Sequence, residues 1–110
     1  MSPRAISGMS EVADQFDGFI LDLWGVIHDG QTPYAPAPET LRKLKAAGKK
    51  TLLLSNAPRR AHALVTTMNG MGIPRESYGE VLSSGEATRD ALIARDDPFF
   101  AKLEIGRAHV

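Results

Sequence analysis

Short apolar runs alternate along this chain with segments of helical period. Phe19-Ile20-Leu21-Asp22-Leu23 is apolar apart from Asp22, the texture of a strand covered on both faces of a parallel sheet. Gly25 to Pro38 is rich in glycine and proline and reads as a loop. Pro38 to Ala47 then predicts a helix, with proline near its first position, Leu41 and Leu44 on one face and Gly48 as the stop. Thr51-Leu52-Leu53-Leu54 is a second strand and ends in Ser55-Asn56. From Pro58 a second helix is expected, because Ala61, Leu64, Val65, Met68 and Met71 recur at helical spacing until Gly72. Gly79 to Ser83 reads as a third short strand. Ser83 with Glu86 offers a capping box for a helix running to about Ala94. Near the amino terminus, Ser10 to Phe16 predicts a short helix capped by Ser10. The order β-α-β-α-β-α predicts an α/β fold built on a parallel, doubly wound sheet.

Composition narrows the function classes. The chain has 110 residues, enough for one domain with a modest core. Its 13 basic and 13 acidic residues balance, so nothing in the charge points to nucleic acid or an anionic membrane surface. There is no cysteine, which excludes disulfides, thiolate metal sites and cysteine nucleophiles and suits the cytoplasm. No apolar run approaches the length of a membrane span.

In open α/β sheets ligands bind beyond the carboxyl ends of the strands. A right-handed crossover through the first long helix lays the first two strands parallel, so Asp22 and Ser55-Asn56 are expected to face one crevice. The helix from Pro58 is expected to turn unpaired N–H groups toward it, making an anion site. A carboxylate beside an anion site is repulsive unless it serves as a nucleophile or a ligand for a divalent cation. On spacing alone a bland reading is equally open: Asp22 as a turn cap and Ser55-Asn56-Ala57-Pro58 as an ordinary helix start.

The tract Phe19-Ile-Leu-Asp22-Leu-Trp-Gly25-Val26, with Leu52-Leu-Leu-Ser55-Asn56, resembles motifs I and II of the haloacid dehalogenase (HAD) superfamily. Gly48 to Arg60 and Ser84 to Arg89 are similar to the class IIA, NagD-like branch. The resemblance runs from about Val12 to Leu103 and implies a partial HAD-like (Rossmannoid) parallel sheet with helices on both faces, about three strands and an incomplete core. It implies Asp22 as the nucleophile that forms an aspartyl-phosphate and binds Mg²⁺, the backbone carbonyl of Trp24 as a second metal ligand, and Ser55 as a donor to the transferring phosphoryl group. Asn56 would support the loop and contact substrate. Arg59 or Arg60 could reach an anionic substrate, although a solvated pair reads equally well. The implied partner is a small phosphorylated metabolite, with no nucleic acid and no membrane.

One position departs from the phosphatase pattern. Two residues after the nucleophile such phosphatases carry a second Asp, the general acid and base; here that residue is Trp24. Losing such a group costs about 10²–10⁴-fold in rate. His28 or Asp29 is a candidate substitute from the adjacent loop. Haloacid chemistry does not need the second Asp, but the class IIA tracts argue against it. Trp24 also supports an alternative, a non-catalytic HAD-like protein that binds a phosphorylated ligand or regulates a partner. As to Trp24 itself, packing under a flap and an apolar wall over substrate both remain open.

The organisation expected is residues 1–95 as the amino-terminal half of a HAD-like core, 96–103 as the approach to a cap domain, and 104–110 as a non-native tail. Glu104-Ile-Gly-Arg-Ala-His-Val110 matches the translation of a common sequencing-adapter stretch, so His109 is discounted as a ligand. The motif III lysine and motif IV acids of the superfamily have no counterpart after Ser84, Lys102 lying in no such context. The expectation is therefore a fragment of a Mg²⁺-dependent phosphatase, marginally stable and inactive alone.

Overall fold

The computed structural model describes residues 3–102, so the expectations for Leu103 and for residues 104–110 lie outside the described residues. Three strands, β1 (Gly18–Asp22), β2 (Lys50–Ser55) and β3 (Glu80–Ser83), form a parallel sheet in the order β1-β2-β3. The helices are α1 (Ala37–Ala46), α2 (Ala61–Gly70), α3 (Ser84–Ala94) and a single turn, α4 (Pro98–Ala101). This is the α/β, partial Rossmannoid sheet that the apolar pattern and the resemblance imply.

Register decides which side chains share a face. Asp22 pairs with Leu54 and Leu54 with Leu82, while Leu21 pairs with Leu53 and Leu53 with Val81. Partners in register point the same way and neighbours along a strand point opposite ways. One face is therefore Leu21, Leu53 and Val81, and it packs on Leu41 of α1 and on Leu64 and Met68 of α2, with Ile73 and Tyr78 closing the cluster. The other face carries Ile20, Leu54 and Leu82, which are 69%, 42% and 37% exposed. The expectation of a first strand covered on both faces is thus corrected. Helices α1 and α2 cover one face, and α3 reaches the other near its amino end, where Ala87 shares a crevice with Ile20, Leu54 and Leu82.

Both predicted helix stops are real and share one mechanism. After α1, Gly48 (φ 76°) donates to Lys45 O and Lys49 to Leu44 O; after α2, Gly72 (φ 88°) donates to Asn69 O and Ile73 to Met68 O. Each is a Schellman closure, which needs a left-handed residue that glycine supplies without strain. The third predicted end differs, because α3 closes on Arg95, a left-handed non-glycine residue (φ 55°).

The structure corrects two helix starts. Ser10 to Phe16 is two 3₁₀ turns, Met9–Glu11 and Ala13–Gln15, with no side-chain cap, and neither buries a residue. Without an apolar face to bury, so short a segment gains too little to hold an α-helix. The second long helix begins at Ala61 rather than Pro58, because residues 57–59 are held to the β3–α3 junction instead.

Candidate functional site

Each strand ends at one crevice. It is lined by Asp22 and Trp24 after β1, Ser55 and Asn56 after β2, and Ser83 and Ser84 after β3, with Ile20, Leu54, Leu82 and Ala87 as its apolar floor. The parallel register sets this arrangement, since Asp22 stands level with Leu54 and Ser55 with Ser83. Asp22 is exposed, and its Oδ1 accepts the N–H of Leu23 at 2.8 Å. Ser55 is buried, and its Oγ accepts the N–H of Ala57 at 3.1 Å, which leaves its own proton available to a ligand.

Ser83 and Ser84 were not singled out for the crevice from sequence, although the same strand-tip reasoning applied to Val81-Leu82-Ser83-Ser84 would have found them. Ser83 Oγ accepts the N–H of Glu86 at 3.0 Å and donates to the carbonyl of Arg59. Half of the expected capping box therefore forms. The Glu86 carboxylate instead accepts from Arg60 Nε at 3.0 Å, and that hydrogen bond holds the Glu86 carboxyl below its ordinary pKa. Arg60 is thereby engaged away from the crevice. Arg59 lies outside the crevice as well, its Nη1 donating to Thr67 Oγ1 at 3.3 Å. The predicted anion-binding start of the helix at Pro58 is also absent from the crevice lining, and the helix that does begin there is α3.

The loop after β1 is tightly laced. Val26, Ile27 and His28 all donate to Leu23 O, Gly25 donates to His28 O, and Tyr34 donates to Ile27 O. Leu23 and Ile27 anchor the loop in the core. The bridge between Trp24 and His28 uses Leu23 O and His28 O, so Trp24 O stands outside it. Trp24 is 59% exposed, yet its indole lies against Gly30 and edge-on to the His28 ring at 5.8 Å.

His28 and Asp29 serve this loop. His28 is 4% exposed and its Nδ1 accepts the N–H of Gly30 at 2.9 Å. Burial pushes its pKa below the ordinary histidine value, against a smaller opposing pull from Asp29. Asp29 Oδ1 accepts the N–H groups of Thr32 and Gln31, which hold its carboxyl below the usual range. Neither residue lines the crevice that holds Asp22.

A family model described as haloacid dehalogenase-like hydrolase matches residues 19–104. The chain belongs to the haloacid dehalogenase-like hydrolases. Within that family its relatives support the NagD-like, class IIA branch. It is 30% identical over 105 residues to bovine (Bos taurus) chronophin, an alignment covering 91% of this chain and 36% of chronophin. Among solved structures it is similar to a haloacid dehalogenase-like hydrolase from Brucella suis, with TM-score 0.70 and 36% identity, covering 76% of this chain and 32% of that one. A hypothetical protein from Pyrococcus horikoshii matches at TM-score 0.62 and 26% identity, with the same coverage. The chain thus spans about a third of the length of these relatives.

For a divalent cation, the described lining of the crevice offers one carboxylate, that of Asp22. Among the described residues no group of three or more His, Cys, Asp or Glu side chains could hold a metal. Mg²⁺ prefers six oxygens in octahedral geometry and accepts one or two carboxylates if phosphate and water complete the shell. The fit is therefore partial, with a single carboxylate among the described lining residues. Among the described residues no helix is long and apolar enough to cross a membrane.

Proposed function

We propose that the chain carries the nucleophile side of a phosphoryl-transfer site for a small phosphorylated metabolite. The observation that carries the reading is that Asp22, Ser55, Asn56 and Ser84 line one crevice at adjacent strand tips. In this reading an Asp22 oxygen forms a bond to phosphorus as the ester P–O bond breaks, giving an aspartyl-phosphate and a departing alkoxide. Ser55 donates its hydroxyl proton to a phosphoryl oxygen, and Asn56 orients the group. Such prearranged donors account for most of the catalysis in phosphoryl transfer. Mg²⁺, held by Asp22 and Trp24 O, would supply neutralising charge.

The same crevice argues for silence of the chain alone. Among its described lining residues Asp22 is the one ionisable side chain, so once it acts as nucleophile no acidic side chain is left to protonate the departing alkoxide. We propose that the 110-residue chain accepts a phosphate mimic without turnover. Trifluoroberyllate with Mg²⁺, followed by ¹⁹F NMR, is expected to give an adduct that Asp22→Asn abolishes. Absence of an adduct in the parent chain overturns the nucleophile assignment, and steady release of phosphate from an ester overturns the claim of silence.

A second reading, a non-catalytic phospho-ligand binder, is favoured by Trp24 in the place of the acid, with His28 and Asp29 both engaged in the loop. Binding of inorganic phosphate without a beryllium adduct would select it.

A further inference from the structure

Beyond the wall of the crevice lies a second hollow. Trp24, His28, Gly30, Arg59 and Thr67 contribute to it, and it shares Trp24 and Asn56 with the Asp22 crevice. Its volume is about 590 Å³, within the range of small-molecule sites.

Three features set this hollow apart from ordinary surface. The first is Trp24, an exposed indole with little freedom. A Cβ at Gly30 would stand 2.7 Å from Cζ2 and from Cζ3, and closer still to Cη2, so the six-membered ring is seated on the Gly30 backbone. The His28 ring meets it edge-on, with 64° between the planes. A flat apolar surface held this way loses little entropy when a second planar group stacks on it.

The second feature is His28. With Nδ1 accepting from Gly30, the neutral ring carries its proton on Nε2. The residue is 4% exposed and lines the hollow, and no described residue bonds Nε2, which keeps access to solvent there rather than being sealed in the core. The third is Arg59, tethered through Nη1 to Thr67 at 3.3 Å, which brings a fixed cation to the same hollow.

We infer that this hollow is the subsite for the organic part of the substrate, and that it selects phosphate monoesters of planar groups bearing an oxygen acceptor. The ring stacks on Trp24, and its oxygen substituent accepts from His28 Nε2–H and from Arg59. The phosphoryl group meanwhile lies across Asn56, against Asp22 and Ser55. Trp24 is then a specificity-determining residue, and its replacement of the second acid exchanges proton transfer for recognition. The inference rests on the phosphoryl-site reading above.

The test is ligand-observed NMR and calorimetry on the 110-residue chain in magnesium-containing buffer, with inorganic phosphate, glycerol 2-phosphate, phenyl phosphate and 4-carboxyphenyl phosphate as probes. Affinity is expected to rise in that order, with phenyl phosphate about threefold to tenfold tighter than glycerol 2-phosphate, the range for one aromatic stack. Trp24 is the single tryptophan of the chain, so phenyl phosphate should also alter its emission while inorganic phosphate leaves it nearly unchanged. Trp24→Leu should erase the aryl preference, so that phenyl phosphate binds no more tightly than glycerol 2-phosphate. Gly30→Ala, which tips the indole without removing it, should weaken the preference, and His28→Asn should remove the added gain of the carboxylate. Phosphate binding with no aryl preference overturns the subsite and spares the phosphoryl-site reading. An aryl preference that survives Trp24→Leu also overturns the subsite. Failure of all four probes to bind overturns both.

Discussion

The Trp24 indole rests on the bare backbone of Gly30, with no room between them for a methyl group. Gly30 also has φ 99°, a conformation that L side chains rarely adopt. Gly30→Ala is therefore expected to cost about 1–2 kcal/mol from the backbone alone and to push the indole outward. Urea unfolding measures the first effect. A red-shifted, more readily quenched tryptophan emission measures the second.

His28 makes stability depend on pH. Its folded pKa lies below the ordinary histidine value of 6.5 because burial disfavours the imidazolium. The unfolded chain therefore binds the proton more readily, and stability rises with pH in the window below 6.5. The contribution is complete above that value and is lost as pH falls through the folded pKa. Unfolding free energy should decline between about pH 7 and pH 5. His28→Asn, which keeps an acceptor for the Gly30 N–H, should flatten that segment of the profile.

Tyr78 is 1% exposed, and its hydroxyl is the buried side-chain polar atom that lacks a partner among the described residues. Burial raises its pKa, so the group stays neutral and pays only for lost hydration. Arg75 stacks over the ring at 5.0 Å and donates to the Tyr78 carbonyl, and neither contact needs the hydroxyl. Tyr78→Phe is expected to stabilise the fold by about 1 kcal/mol in denaturant titration. A loss of stability would reveal a partner for the hydroxyl.

Gly85 lies under the segment after Ser55. A Cβ there would stand 2.6 Å from Arg59 O and closer to Pro58 O, both backbone atoms that cannot swing aside. Gly85→Ala should cost about 1–3 kcal/mol, shift the amide resonances of residues 55–59, and weaken phosphate binding more than Gly79→Ala does. Gly79 is equally crowded, against Thr51 O, but at the opposite end of β3 from the crevice.

Much of this was legible along the chain because its causes are local. The alternation of apolar runs and helical periods located β1, β2 and the two long helices, and Gly48 and Gly72 marked their ends because a Schellman closure needs a left-handed residue there. Asp22 and Ser55 were legible because a strand tip is a position in sequence as well as in space. What was hidden depends on contacts between distant segments. The start of α2 at Ala61 follows from Ser83 and Gly85 binding the carbonyls of Arg59 and Ala57. Arg60 was lost to Glu86, 26 residues away. The setting of Trp24 required the course of a loop whose hydrogen bonds no periodicity encodes.

Those same cross-links govern how the crevice can move. Ser55 Oγ holds the N–H of Ala57, Ala57 O takes the N–H of Gly85, and Arg59 O takes the hydroxyl of Ser83. The tips of β2 and β3 are therefore stitched into one stiff jaw, sharing four consecutive ladder pairs beneath it. The opposing jaw is the Trp24 loop, whose backbone bonds among the described residues close on the loop itself through Leu23 and His28 while Leu23 and Ile27 root it in the core. Breathing at the mouth is then expected to pivot at the end of β1, so Asp22 sits beside that pivot, where its position changes least as the mouth opens.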